Sequence, residues 1–489
     1  MPARPLTAPA TAANGALELT AAQADVLSAQ RAAPDDPTYN VGQYVDLTGP
    51  LDTELLRRAV ARTLAEAPGL RLRVWEEGGR AWQQRLPFDP EDWRLPRLDT
   101  TGAADPVAAA VELVRDQLAC PPRLQPPSGE GPPPALTGTV LVRVGPERHL
   151  LFSYFHHLAV DGYGVALLTR RIADLYSAAV RGAEPAPSPF APLEVLVAAE
   201  REYAGSAREA ADRAHWTARY ADRPAPVRFP AAAGTGGAST GAARHTVLLD
   251  PEDSALLAKA VRPARATWAE AVTAALAARL HRDTGATEAV FRMYVLGRTA
   301  PGALRVPGMA VNVLPVRIAV DGAATFRELL ERTVAEFAAV REHQRFRGEV
   351  LAREIWPGAG GRAPSVALLN LRPFPAEVDF AGLTGRVVTL ASGPVDDISL
   401  SVVRHPDGRL RLDLDADTAR YGTGGPAALA GRYTALLLAL AAAPDAPLAN
   451  LPEPAVPASL VDAPEPAVPT ASLPHPQAVP AAPTQGETR

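Results

Sequence analysis

The chain has 489 residues, with 47% apolar and 21% charged, the balance of a globular protein, and its length suits two lobes of ordinary domain size better than one core. A formal net charge of -5 excludes a dedicated nucleic-acid binder and requires a local basic patch for any acidic protein partner. The single cysteine, Cys120, excludes an internal disulfide and suits a reducing cytosol.

Residues 1–16 are rich in Ala, Pro and Thr and read as a disordered N-terminus without the apolar core of a signal peptide. A first lobe runs from residue 17 to the Pro-rich turn ending at Pro189. Within it, Thr139 to Val144 and His149 to Phe155 read as strands separated by the turn-like Gly145-Pro-Glu-Arg148. Val165, Leu168, Ile172, Leu175 and Ala179 then recur at helical spacing. On that helix and just past it, Arg170, Arg171 and Arg181 are candidates for a basic patch, against the plainer reading of a solvated face. A second lobe covers residues 190–450: Leu193 to Tyr220 reads as helix-rich, Gly234 to Gly241 as a flexible loop, and Trp268 to His281 and Thr325 to Arg341 as amphipathic helices. Residues 451–489 form a Pro/Ala-rich tail that reads as disordered or polyproline-like. No apolar run of membrane-spanning length occurs, so the expectation is a cytoplasmic protein with no membrane or nucleic-acid partner.

Between the apolar strand and its helix lies His156-His157-Leu158-Ala159-Val160-Asp161-Gly162. Two imidazoles, an acid and a glycine at the mouth of a buried strand have three readings: an acid-base site, a metal site, or a structural corner. Neighbours on an extended segment point to opposite faces, which disfavours a shared metal ion, and no other histidine forms a local zinc pattern. An imidazole takes a proton from an amine or hydroxyl near neutral pH, which suits acyl transfer. Spacing leaves Asp161 with two roles, orienting an imidazole or pairing with a distant arginine. Gly237-Ala-Ser-Thr-Gly241 satisfies GxSxG but lacks the strand-turn-helix setting of a nucleophile elbow, and no P-loop or dinucleotide fingerprint is present.

In its setting from Phe152 to Gly164, the motif resembles the HHxxxDG signature of nonribosomal peptide synthetase condensation domains. Further segments agree in order: Leu19-Thr-Ala-Ala-Gln23 with Ala29-Gln30 and Pro37 to Asn40, Gly49-Pro-Leu-Asp52 with Leu70 to Arg73, Tyr294 to Arg298, Pro307 to Arg317, and Gly393 to Leu400. The resemblance covers roughly residues 17 to 450, with a flavour similar to siderophore-type synthetases.

The resemblance implies an α/β (α+β) fold of two chloramphenicol acetyltransferase-like lobes, a V-shaped pseudo-dimer within a monomer, with the active-site tunnel between them. It makes His157 the general base or acceptor positioner, His156 a stabiliser of the loop, and Gly162 a backbone donor to the oxyanion. Asp161 is assigned a structural salt bridge with Arg298. Tyr163 and Asn312 are candidate tunnel residues, and Arg317 a weaker one. No cofactor or metal is bound; the donor acyl group arrives on the phosphopantetheine arm of a peptidyl carrier protein, and the acceptor is a small-molecule or carrier-bound amine or alcohol. Neither an adenylation signature nor a carrier attachment site is found in the sequence, which fits a freestanding condensation enzyme. A coenzyme A-dependent acyltransferase of the same superfamily and a non-catalytic carrier-binding platform are the rivals. Intact histidines argue against a heterocyclisation relative, and the epimerisation motifs are missing.

Overall fold

The structure is a computed structural model that describes residues 15–120, 124, 136–225, 227–231, 242–358, 367–372, 377–391, 395, 397–405, 407–457 and 460. The sequence readings of residues 1–14, of the glycine-rich loop with Ser239 and of the end of the tail lie outside the described residues.

Two six-stranded sheets carry the molecule. The first orders its strands Glu377–Phe380, Leu383–Ala391, Asn40–Thr48, Arg148–His156, Thr137–Gly145 and Arg97–Asp99. Both faces of this sheet are covered, which explains why the strand before the motif carries buried apolar side chains on both of its faces, among them Leu150, Leu151, Phe152 and Phe155. Leu151, Val45 and Leu141 pack beneath Leu56 and Val60 of helix Thr53–Glu66 and Ile172 and Tyr176 of the motif helix, Gly162–Val180. On the other face, Leu150, Phe152 and Tyr44 meet Ala110, Val114 and Leu118 of helix Pro106–Ala119.

The second sheet orders Asn312–Ala319, Glu288–Val295, Ala367–Arg372, Ile398–Arg404, Leu410–Asp417 and Ala242–Leu248. Here the strands alternate. Leu410, Leu412, Leu414 and Ala416 enter the second lobe's core with helices Trp268–Thr284, Phe326–Glu342 and Gly425–Ala442, while Arg411, Asp413 and Asp417 line the interlobe cavity. A sheet apolar on one face and charged on the other leaves that second face to water or substrate.

Helix ends follow local chemistry. Thr267 with Glu270, and Thr325 with Glu328, form capping boxes that start the two helices read from periodicity. The helix-rich stretch after Leu193 is two helices, Glu194–Tyr203 and Ala207–Arg219, parted at Gly205, whose φ of 71° suits glycine. Helix Gly425–Ala442 is long and apolar enough to cross a membrane, yet Leu429, Tyr433, Leu436, Leu437 and Leu440 are buried in the second core, as in a core helix.

The structure departs from the sequence-derived lobe limits twice. Residues 377–391 lie within the span assigned to the second lobe, but Leu383–Ala391 pairs antiparallel with Asn40–Thr48 and extends the first sheet. The tail also begins later than residue 451. Leu451 and Val456 pack on the second core and Leu460 is buried in it, His245 Nε2 lies 2.8 Å from the Leu460 carbonyl, and Arg279 donates to Glu453 at 2.5 Å. Spaced apolar side chains and the ion pairs of Glu453 with Arg279 and Arg282 dock these residues despite the prolines.

Candidate active site

The strand Arg148–His156 ends opposite Asn40. Backbone N–H groups of His156 and His157 donate to Leu136 O at 2.7 Å and Tyr39 O at 2.8 Å, so the corner is held from both sides. Alternation then sends the two imidazoles to different places.

His156 is 2% exposed. Its Nδ1 accepts the Leu158 N–H at 3.1 Å, so its proton sits on Nε2, which donates to Gln30 Oε1 at 3.1 Å. Gln30 is held in turn by the carbonyls of Ala33 and Asp36, both at 2.9 Å. Burial, with the neighbouring His157 adding to it, pushes the His156 pKa down to about 3. This imidazole is a neutral strut.

His157 is half-buried and lines the cavity. Its Nδ1 lies 3.1 Å from the Val160 carbonyl. A carbonyl can only accept, so Nδ1 carries the hydrogen, and Nε2 is the basic nitrogen of the neutral ring.

Asp161 caps the motif helix and is 2% exposed. Its oxygens accept five hydrogen bonds, from Arg298 Nη1 and Nη2 at 2.7 and 3.0 Å and from the N–H groups of Gly164, Ala310 and Val311 at 2.9, 3.0 and 3.1 Å. None comes from an imidazole. Burial works against its charge, but the Arg298 guanidinium and the backbone donors outweigh it and hold the carboxyl below its ordinary value. Arg298, itself 5% exposed, also donates to the carbonyl of Gly308 at 2.7 Å. The pair thereby clamps the motif loop of the first lobe to the segment 306–311 of the second.

Gly162 and Tyr163 open the motif helix and line the cavity. The Tyr163 hydroxyl donates to Leu304 O at 2.9 Å, and its ring lies 4.9 Å from the Arg298 guanidinium carbon. Gly164 is a contact glycine: a Cβ there would fall 2.4 Å from Val160 Cγ2 and 3.2 Å from Gly308 N.

The cavity between the lobes measures about 2530 Å³ and combines His157, Gly162 and Val165 of the first lobe with Met293, Tyr294 and Val311 of the second. It is larger than a drug-sized pocket and has room for two reactants and a long arm. Among the described residues, no group of three or more His, Cys, Asp and Glu side chains could hold a metal ion.

Three sequence readings are corrected. Asn312 is 1% exposed and does not line the cavity; its amide donates to Gln344 O and Phe346 O at 2.9 and 2.8 Å and accepts from Val313 N and Gly348 N. A side chain so fully engaged fixes residues 344–348 and has no capacity left for substrate. Arg317 sits at the far end of its strand, bound to Asp222 and Glu288 at 2.6 and 2.7 Å. Arg171 leaves the basic patch, because it is buried against Glu66 at 2.7 Å. Gln30, in contrast, carries no role in the sequence reading, although its place four residues after Val26 on the buried side of helix Ala21–Ala32 marks a polar group that needs a partner.

A family model described as Condensation domain matches residues 13–455. Isonitrile lipopeptide synthase of Streptomyces coeruleorubidus is 37% identical over 435 residues, 88% of this chain and 29% of that protein. Enterobactin synthase component F of Escherichia coli is 30% identical over 407 residues, 83% of this chain and 31% of that protein. The chain thus spans less than a third of the length of these relatives. Among solved structures, the first condensation domain of the calcium-dependent antibiotic synthetase, in complex with a substrate analogue, aligns with a TM-score of 0.80 at 32% identity, over 89% of this chain and 98% of that one. The starter condensation domain of rhizomide synthetase, as a mutant with C8-CoA and Leu-SNAC, gives 0.79 at 29% identity, over 89% and 96%. A match that runs through both sheets, the clamped motif loop and the cavity between them leads to one conclusion: the chain belongs to the condensation domain family.

Proposed function

We propose that this chain transfers an acyl or aminoacyl group from the phosphopantetheine thioester of a carrier protein to an amine or alcohol in natural-product biosynthesis. The observation that carries this reading is His157, whose Nδ1–H is committed to Val160 O so that the basic Nε2 serves the interlobe cavity. The acceptor nitrogen or oxygen attacks the thioester carbonyl as Nε2 takes its proton. The new C–N or C–O bond forms, the C–S bond breaks, and the proton passes to the departing thiolate. In this reading the N–H of Gly162, at the positive end of the motif helix, donates to the oxyanion of the tetrahedral intermediate. A thioester is already activated, so alignment, exclusion of water and proton removal supply the remaining catalysis. Asp161 and Arg298 act through architecture, as positioning residues.

His157→Ala is expected to lower condensation by about 10² or more, the usual scale for a general base. The test is a panel of carrier-loaded donors with amine and alcohol acceptors, read by intact product mass; near-normal turnover of the variant removes the acid-base role. The C8-CoA complex of the rhizomide relative supports one second reading, a coenzyme A-linked donor. Offering the same acyl group on coenzyme A and on a carrier separates the two.

A further inference from the structure

Gln23, in the opening motif, takes no part in the mechanism above, yet it is buried against the histidine loop. Helix Ala21–Ala32 presents two glutamines to that loop, Gln23 and Gln30, seven residues and so two turns apart on one face. Gln30 holds the His156 ring. Gln23 donates through Nε2 to the Leu158 carbonyl at 3.0 Å, one residue beyond His157.

Gln23 is itself held by a small third sheet, whose strands are ordered Leu17–Glu18, Arg80–Arg85 and Leu72–Glu77. Leu72 and Val74 of this sheet pack in one cluster with Ala22, Val26 and Leu27 of the helix and with Leu158 and Ala159 of the loop. From its central strand, Gln83 forms a reciprocal amide pair with Gln23: Gln23 Nε2 donates to Gln83 Oε1 at 2.9 Å, and Gln83 Nε2 to Gln23 Oε1 at 2.8 Å. Gln23 Oε1 also accepts the Thr20 N–H, and Gln83 Nε2 also donates to the Glu18 carbonyl, both at 3.0 Å. A backbone carbonyl can only accept and a backbone N–H only donate, so these contacts fix which way each amide points. Gln23 is 0% and Gln83 1% exposed. Bulk water therefore does not replace a partner that either one loses.

The Leu158 carbonyl belongs to a peptide that is gripped on both of its polar groups. Its N–H, that of Ala159, donates to His156 O at 2.9 Å and closes a turn, while its carbonyl accepts from Gln23. This peptide leads directly into Val160, whose carbonyl receives the His157 Nδ1 hydrogen at 3.1 Å. Rotation of the 158–159 peptide would carry Val160 O away from the ring and release Nδ1. An imidazole released in this way can carry its hydrogen on Nε2 instead, which leaves no base facing the cavity.

We propose that Gln23 and Gln83 are positioning residues that select the reactive tautomer of His157, by anchoring the Leu158 carbonyl and with it Val160 O. The inference rests on the reading of His157 as the general base, and it adds how the basic form of the ring is chosen. The small sheet thereby supports the reacting centre as well as the fold.

The test is the nitrogen NMR spectrum of the full chain labelled with 15N-histidine, recorded at about pH 8, above the ordinary imidazole range. Shifts separate a protonated ring nitrogen from a bare one, and the His157 signals are identified by their loss in His157→Ala. The parent is expected to show hydrogen on Nδ1. Gln23→Met keeps the bulk and removes both hydrogen-bonding groups; it should move hydrogen to Nε2 in a substantial share of molecules. It should also lower kcat about tenfold or more with KM little changed, for any donor and acceptor that the carrier panel turns over. Gln83→Met, which spares the Leu158 bond and removes its support, should act in the same direction and more weakly. Tyr433→Phe is the control: it deletes a buried hydrogen bond of 2.9 Å to Val272 O in the second core, and should lower the melting temperature without moving the tautomer. A His157 tautomer unchanged in each glutamine variant that folds by circular dichroism, or moved as far by Tyr433→Phe, overturns the proposal. Near-normal turnover of His157→Ala would instead remove the base reading, and the tautomer, read without turnover, would still report on the tie; the two failures are distinguishable.

Discussion

His156 and His157 are adjacent in the chain and opposite in chemistry, and the difference is set by which ring nitrogen each must protonate. For His156 the consequence is a pH-dependent stability. Its folded pKa of about 3 lies below the ordinary 6.5, so between these values the unfolded chain holds a proton that the folded one lacks. Its contribution is therefore complete above about 6.5 and is lost as the pH falls, at up to ~1.4 kcal/mol per pH unit. His156→Asn, which cannot titrate, should show a flatter fall of melting temperature between about pH 7 and 5 than the parent. Equal slopes would mean that the buried imidazole is not the group responsible. Asp161 acts in a lower window: held below its ordinary 3.8, it keeps its contribution above that value and loses it as the pH falls through the folded pKa. Replacing it strands the buried Arg298, so Asp161→Ala should cost about 3–5 kcal/mol and lower activity along with folding. A variant of parental melting temperature but without turnover would instead give Asp161 a direct part in the chemistry. The separation of His156 from His157 is legible from strand alternation alone, and the Asp161 partner is not. That partner lies 137 residues away, and only the family resemblance pointed to Arg298. Asn312 misled for the same reason: a motif position tells that an amide is needed, and only its four backbone contacts tell for what.

At the scale of elements, the motif helix is positioned by the absence of side chains at its start. Gly164 packs against Val160 and Gly308, and even a methyl group would have to displace both. Gly164→Ala should cost about 1–3 kcal/mol, as overpacking does, and should lower kcat by moving the Gly162 N–H. Gly162→Ala is the control, because a Cβ at that position meets nothing within 4 Å, and its melting temperature should match the parent. Equal tolerance of both changes would show that the helix start has slack. Amphipathic patterning made the long helices readable from Trp268 and from Thr325, and the structure adds the capping boxes of Thr267 and Thr325 at their starts. The cavity face of the second sheet was not readable, because charged residues alternating with Leu410, Leu412 and Leu414 look the same whether they meet bulk water or a substrate. The docked residues 451–457 were hidden by composition: the prolines argued for a free tail, while the few apolar side chains that pack there are too sparse to form a pattern.

The whole molecule is bound together by the strand that leaves its own lobe. Leu383–Ala391 completes the first sheet, yet Arg244 and Arg372 of the second sheet reach its Thr389 at 3.2 and 2.8 Å. Arg244 is in turn paired with Asp415 at 2.8 Å, both side chains being buried. The first lobe is consequently incomplete as a continuous piece of chain. Residues 17–189 alone would expose the edge of Asn40–Thr48 and uncover Leu47 and Val45, which pack with Phe380 and Leu383. A long apolar edge without its neighbour is a template for aggregation. Residues 17–189 expressed alone should therefore be insoluble or oligomeric by light scattering, and the full chain should melt in a single calorimetric transition. A soluble, monomeric fragment with native-like circular dichroism would show that the crossing strand is dispensable. The cavity would then lie between independent bodies, whereas shared strands predict that changes in either sheet reach the same site.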